Sequence, residues 1–214
     1  DNKLYFDESF DKTFTKCILN NKKRYIIAPI GILQSKGAHA GYLLYDKQNN
    51  QVERFEPHGS SAINFNYNDS LLDNILENKF RSIYIKNNLD ISKFKYFKPS
   101  DYMEKISLQQ LESHEINKQK IHDPSGYCAS WSLWFIDMRI LFNDISREKL
   151  ISKIIKNIRK NNISFKNLIR NYSSNITQLR DELLQKLGTN IDSLLFDTPL
   201  EEFNKTIINI INLN

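Results

Sequence analysis

The chain has few of the residues that punctuate, cross-link or anchor a protein. Its 214 residues include 2 cysteines, 6 glycines and 5 prolines. Cys17 and Cys128 lie far apart in unlike contexts, so they build neither a disulfide framework nor a zinc-ligand spacing. That excludes a disulfide-stapled scaffold, leaves no metal ligand set, and points to an intracellular, reducing compartment. So few glycines and prolines argue against a low-complexity protein. No apolar run approaches a membrane span and no signal peptide opens the sequence, so no membrane partner is expected. The chain begins at Asp1 rather than methionine, and is expected to be part of something longer.

A concentrated charge of one sign is also missing. The 30 Lys and Arg against 25 Asp and Glu give a net charge of +5 and a pI near 9.0. The bases are dispersed, and the aromatics sit inside apolar runs rather than between lysines as stacking platforms. No nucleic acid is expected, and the basic residues Lys153, Lys156, Arg159, Lys160, Lys166 and Arg170 read as a solvated helical face.

What the chain does have is apolar material: 40% hydrophobic and 12% aromatic residues, ample for one sizeable packed domain, expected as a monomer. The densest stretch runs from His122 to Arg139. Turn formers Asp123, Pro124, Ser125 and Gly126 are followed at once by an aromatic-rich run. Residues 129 to 141 are apolar on nearly every face, the pattern of a helix buried all round at the centre of the core. Cys128 falls in its first turn, where unpaired backbone N–H groups and the helix dipole favour a thiolate.

Before that helix the pattern is mostly of strands. Arg24 to Gln34 reads as a buried strand, with Pro29 marking an edge or a bulge. His39 to Asp46 and Gln51 to Pro57, joined by the polar turn at 47–50, read as a β-hairpin. Residues 1–22 hold a short helix or arm, 59–70 a loop, 71–85 a helical pattern, and Lys93 to Met103 a further strand. From Ser146, a plausible helix cap, the pattern is helical, with breaks near Asn161, Gly188 and Pro199. Two parts are expected, a core over 1–145 and a helical extension over 146–214.

The hairpin brings the start of one strand beside the end of the next, so His39 and Glu56 become cross-strand neighbours. A carboxylate there fixes the imidazole's tautomer and stabilises its charged form, and the imidazole can take the proton of Cys128. Glu53, three residues earlier, points to the opposite face. His58 and His114 read as surface histidines and Cys17 as inert. Trp131 and Trp134 read as core.

The order His39, an acid seventeen positions on, then Cys128 opening a buried helix resembles the clan of ubiquitin-like-specific cysteine proteases. That clan includes the SUMO proteases and the adenovirus endopeptidase. Gly126-Tyr-Cys128 is similar to the clan's Gly-Tyr-Asp-Cys shortened by one residue. The segments around Phe55-Glu56-Pro57 and Gly126 to Trp134 look most like versions from large DNA viruses. The likeness covers roughly residues 24–142. It implies an α+β papain-like fold, a central mixed sheet packed on the Cys128 helix, with the helical extension beyond it. It implies a thiol protease needing no cofactor, with Cys128 as nucleophile, His39 as base and Glu56 orienting it. The implied substrate is ubiquitin or a ubiquitin-like modifier, cut after its C-terminal glycines, in host cytoplasm or virion. Gly37 and Trp131 would close the groove that takes a Gly-Gly tail. A polyprotein-processing endopeptidase, an acetyltransferase of the YopJ type and an inactive ubiquitin-binding module are the alternatives.

Two departures stand out. Ala40 follows the histidine where the clan commonly has Trp, and Asp123 occupies the place of the glutamine that commonly donates to the oxyanion. A carboxylate donates only when protonated. Gln119 is the substitute if its loop folds back, and His122 is another.

Overall fold

The computed structural model describes residues 4–20, 22–34, 37–60 and 67–197, with Glu202 and Lys205. They contain a four-stranded sheet and six α-helices. The strands are β1 (Tyr25–Gln34), β2 (Gly37–Asp46), β3 (Gln51–Phe55) and β4 (Lys95–Phe97), in the order β1-β2-β3-β4. The first three run antiparallel, and β4 pairs parallel with β3. Among the helices, α1 (Phe10–Leu19) precedes the sheet and α2 (Asp69–Lys86) crosses over from β3 to β4. The others are α3 (Leu108–Ser113), α4 (Cys128–Leu141), α5 (Arg147–Lys160) and α6 (Phe165–Lys186).

Strand alternation distributes β2 and β3 to two faces. Leu43, Tyr45 and Val52 join a core with Phe14 of α1 and Leu76, Phe80, Ile83 and Tyr84 of α2. On the other face Phe55 stacks on Phe135 of α4, with ring centroids 4.2 Å apart. Glu53 on that face is 4% exposed and bridges two helices: it accepts from Arg139 Nε of α4 at 2.9 Å and Arg147 Nε of α5 at 3.0 Å. The sheet is therefore clamped between α2 and α4, with α5 tied to it through Glu53.

The hairpin forms where the sequence places it, with Asn50 at φ 52° in its turn. β1 lies at the sheet edge, where Pro29 is accommodated. The expected strand over Lys93 to Met103 shrinks to Lys95–Phe97, because Pro99 opens a 3-10 turn in which Asp101 Oδ2 accepts from the Lys98 backbone N–H at 3.1 Å. The α4 helix is not buried all round. Trp131, Ser132, Phe135 and Ile136 are buried, whereas Ala129, Asp137 and Leu141 are exposed. The chain divides into two compact units, Asp1–Asn167 and Leu168–Asn214. The first holds α5 as well as the sheet, so this division lies beyond residue 145. The second holds most of α6 and a π-helical turn at Ser193–Asp197. Pro199 and residues 61–66 of the 59–70 loop lie outside the described residues.

Candidate functional site

Three elements converge on one point: the start of β2, the end of β3 and the start of α4. One further step along the β2–β3 register sets Glu56 opposite Gly41, so His39 reaches the carboxylate diagonally along the same face. A Cβ at Gly41 would lie 3.2 Å from the Phe55 carbonyl oxygen, so glycine eases the close approach of the two strands there. His39 Nε2 is 2.9 Å from Glu56 Oε1 and 3.0 Å from Oε2, and both side chains are buried. The His39 ring also hydrogen-bonds Cys128. The Cys128 sulfur accepts from the backbone N–H groups of Ala40 in β2 and Ala129 in the first turn of α4.

Glu56 is held from several sides. It accepts from the His58 backbone N–H at 3.2 Å and from the Tyr67 hydroxyl at 2.9 Å, with Arg54 Nη1 at 3.8 Å. Arg54 is itself anchored by a two-pronged bond to Asp73 of α2, at 2.7 and 2.9 Å. Tyr96 of β4 donates to the same carboxylate at 2.8 Å. After Glu56 the chain turns through Gly59 at φ 120°, where a Cβ would lie 2.4 Å from the Lys105 carbonyl oxygen. Only glycine fits there.

The charges reinforce one another. Burial opposes a charged imidazole, but the hydrogen bonds to Cys128 and Glu56 and the two negative charges outweigh it, and the His39 pKa is pushed up to about 9. Burial likewise favours a neutral Glu56, yet His39, the His58 N–H and Arg54 hold its carboxyl below the usual range. Burial also raises the Cys128 thiol. The His39 bond and two backbone N–H groups overcome this, so the net shift is downward. The arrangement is a Cys128–His39 pair backed by a carboxylate, with its electrostatics biased toward thiolate and imidazolium. It makes Cys128 a stronger nucleophile and hydrogen-bond acceptor than a free thiol. By itself it names no partner or substrate.

The other expected site residues do not join it. Asp123 accepts from the Tyr127 hydroxyl at 2.9 Å and from the Lys120 backbone N–H at 2.8 Å, so it serves as a turn brace. Gln119 is exposed and its side-chain oxygen accepts from Lys166. His122 is exposed. Gly37 opens β2, paired with Gln34, two residues before His39. Trp131 is fully buried, set edge-on to Trp134, and cannot wall an open groove.

Two neighbours carry no sequence signal. His58 is half-buried rather than on the surface. Its ring lies 5.4 Å from that of His39, and burial lowers its pKa. Gln109 of α3 is 6% exposed and its Oε1 has no partner among the described residues. Its Nε2 lies 2.8 Å from where a Cβ of Gly126 would be, so that glycine makes room for the amide two residues before Cys128.

Fold and site together define a mixed α/β domain in which a half-buried thiol meets a buried imidazole and carboxylate. No protein-family model matches the chain. Over 98% of its length it is 44% identical to a putative ankyrin repeat protein of Acanthamoeba polyphaga mimivirus, of which the matched region makes up 28%. The chain thus spans little more than a quarter of that relative. The viral source of the relative accords with the viral likeness noted in the sequence. The protease assignment is corrected. A relative aligned over nearly the whole chain is named for ankyrin repeats, and no protease family model matches, which overturns the assignment to the ubiquitin-like-specific protease clan and with it the isopeptidase, endopeptidase and acetyltransferase activities.

Proposed function

We propose that this chain is a protein-binding domain of a larger viral protein, and that it holds a polypeptide at the Cys128–His39–Glu56 site. The observation that carries this is the alignment, over nearly the whole chain, with a protein named for ankyrin repeats. Such repeats stack into extended concave surfaces used for binding. The described residues here do not follow the ankyrin period of about 33 residues built from a β-turn and two helices. The domain is therefore a recognition element distinct from a repeat array. In that role the Cys128–His39 pair is a fixed dipole, with the sulfur as acceptor for a guest N–H and the imidazole, its pKa raised to about 9, offering positive charge. Both cysteines are free, which suits a reducing compartment such as host cytoplasm or virion.

The test is selection of peptides from a random library on the immobilised chain, followed by calorimetry and mass spectrometry of the recovered peptide. Saturable one-to-one binding is expected, weakened about tenfold by Cys128→Ala or His39→Ala, with the peptide unchanged in mass. Absence of saturable binding, or a peptide recovered cut or modified, overturns the reading.

A further inference from the structure

A second surface of the first unit has the makings of a docking groove. The segment around Met103 runs beside α5, and two adjoining hollows of about 300 and 470 Å³ lie between them, sharing Glu104, Ser152 and Ile155. Met103, Ile151 and Ile155 form the apolar floor, each less than a tenth exposed. The walls differ in charge from end to end. Glu148 stands where α5 begins, Glu104 lines both hollows between the two ends, and Lys156, Arg159 and Lys160 stand where α5 ends. All five are exposed, and none forms an ion pair among the described residues. Part of this polarity complements the α5 macrodipole, since Glu148 sits in its first turn and Arg159 and Lys160 in its last. The dipole requires neither Lys156 in the helix interior nor Glu104 from another segment.

We propose that this groove docks a polypeptide segment bearing a cationic side chain, an apolar anchor and carboxylates in series. The cation lies against Glu104 and Glu148, the apolar side chain rests on Ile151 and Ile155, and the carboxylates meet Lys156, Arg159 and Lys160. A nucleic acid fits poorly, because its continuous negative charge would run onto the acidic end. From Glu148 to Lys160 the helix advances about 18 Å, which an extended segment of about six residues spans. The proposal rests on the protein-binding reading above and names a partner chemistry and a surface that share no residue with the Cys128 site.

The experiment is fluorescence anisotropy on the whole chain with four labelled probes. One peptide carries an arginine, a central leucine and two glutamates. The second replaces the glutamates by lysines, the third replaces the leucine by serine, and the fourth probe is oligothymidylate. The first peptide is expected to bind at least about tenfold tighter than the other three. Combined Lys156→Glu, Arg159→Glu and Lys160→Glu should abolish that preference and turn it toward the lysine peptide. Binding of the first peptide that is indifferent to the triple replacement overturns the groove, and so does tighter binding of oligothymidylate. Either result leaves the Cys128-site reading standing, since that is judged by Cys128→Ala against library-selected peptides.

Discussion

Cys128 and Cys17 have the same side chain on different helices, Cys128 opening α4 and Cys17 lying within α1. Cys128 has an imidazolium, two backbone N–H groups and a helix start around its sulfur. At neutral pH a limiting amount of iodoacetamide should therefore alkylate Cys128 before Cys17, as read by peptide mass spectrometry. Removing the imidazole with His39→Ala should slow that labelling about tenfold, the effect of roughly one unit in thiol pKa. Faster labelling of Cys17 would contradict the assigned geometry.

Glu56 supports the same pair from the other side. In Glu56→Gln the amide keeps the shape but loses the charge that faces His39. The His39 pKa should fall from about 9 toward its ordinary value of 6.5. An NMR titration of the ring protons reads this directly. An unchanged His39 pKa would mean that Cys128 alone holds the imidazole charged.

At the scale of elements, buried charge joins the pieces of the sheet. Arg54 in β3 and Asp73 in α2 are each about 5% exposed or less, and Tyr96 of β4 completes the contact. Replacing Arg54 by methionine fills the space but leaves Asp73 charged, buried and without its cation. Loss of one partner of such a pair costs about 3–5 kcal/mol. A lower urea midpoint with an unchanged slope would show it, and a variant as stable as the parent would mean that water reaches Asp73.

For the whole molecule, the site makes stability depend on pH at both ends. His39 has a raised pKa, so its contribution is complete below 6.5 and is lost as the pH rises through about 9. Glu56 has a depressed pKa, so its contribution is complete above 4.5 and is lost as the pH falls through its folded value. The lowered thiol of Cys128 adds stability that is complete above 9.0 and fades on acidification. Urea midpoints should therefore fall on the acid side, while between 6.5 and 9.0 the His39 loss and the Cys128 gain oppose each other. In Cys128→Ala the opposing thiol contribution is gone, so an alkaline decline should appear, and adding His39→Ala should flatten it. An alkaline limb unchanged by the second replacement would place the titrating group elsewhere.

What the sequence determined by itself is local. The alternation of β2 and β3 and their short polar turn set the hairpin, and period-two geometry then brings His39 toward Glu56 and turns Glu53 away. Turn formers before an apolar run mark the start of α4, and so the electrostatics of Cys128. Contacts that close long loops are not written in any short window. Tyr67 on Glu56, Gln109 beside Gly126 and His58 against His39 exist only because the loop after β3 and α3 fold over the hairpin. Lys166 illustrates the limit best. It reads as one more solvated lysine in a basic helix, yet it is buried with Glu112 at 3.0 Å, because α6 begins against α3. The chemistry of the thiol follows from residue types and spacing. Surfaces are assembled from distant segments, so only the tertiary structure brings the hollows along α5 into being.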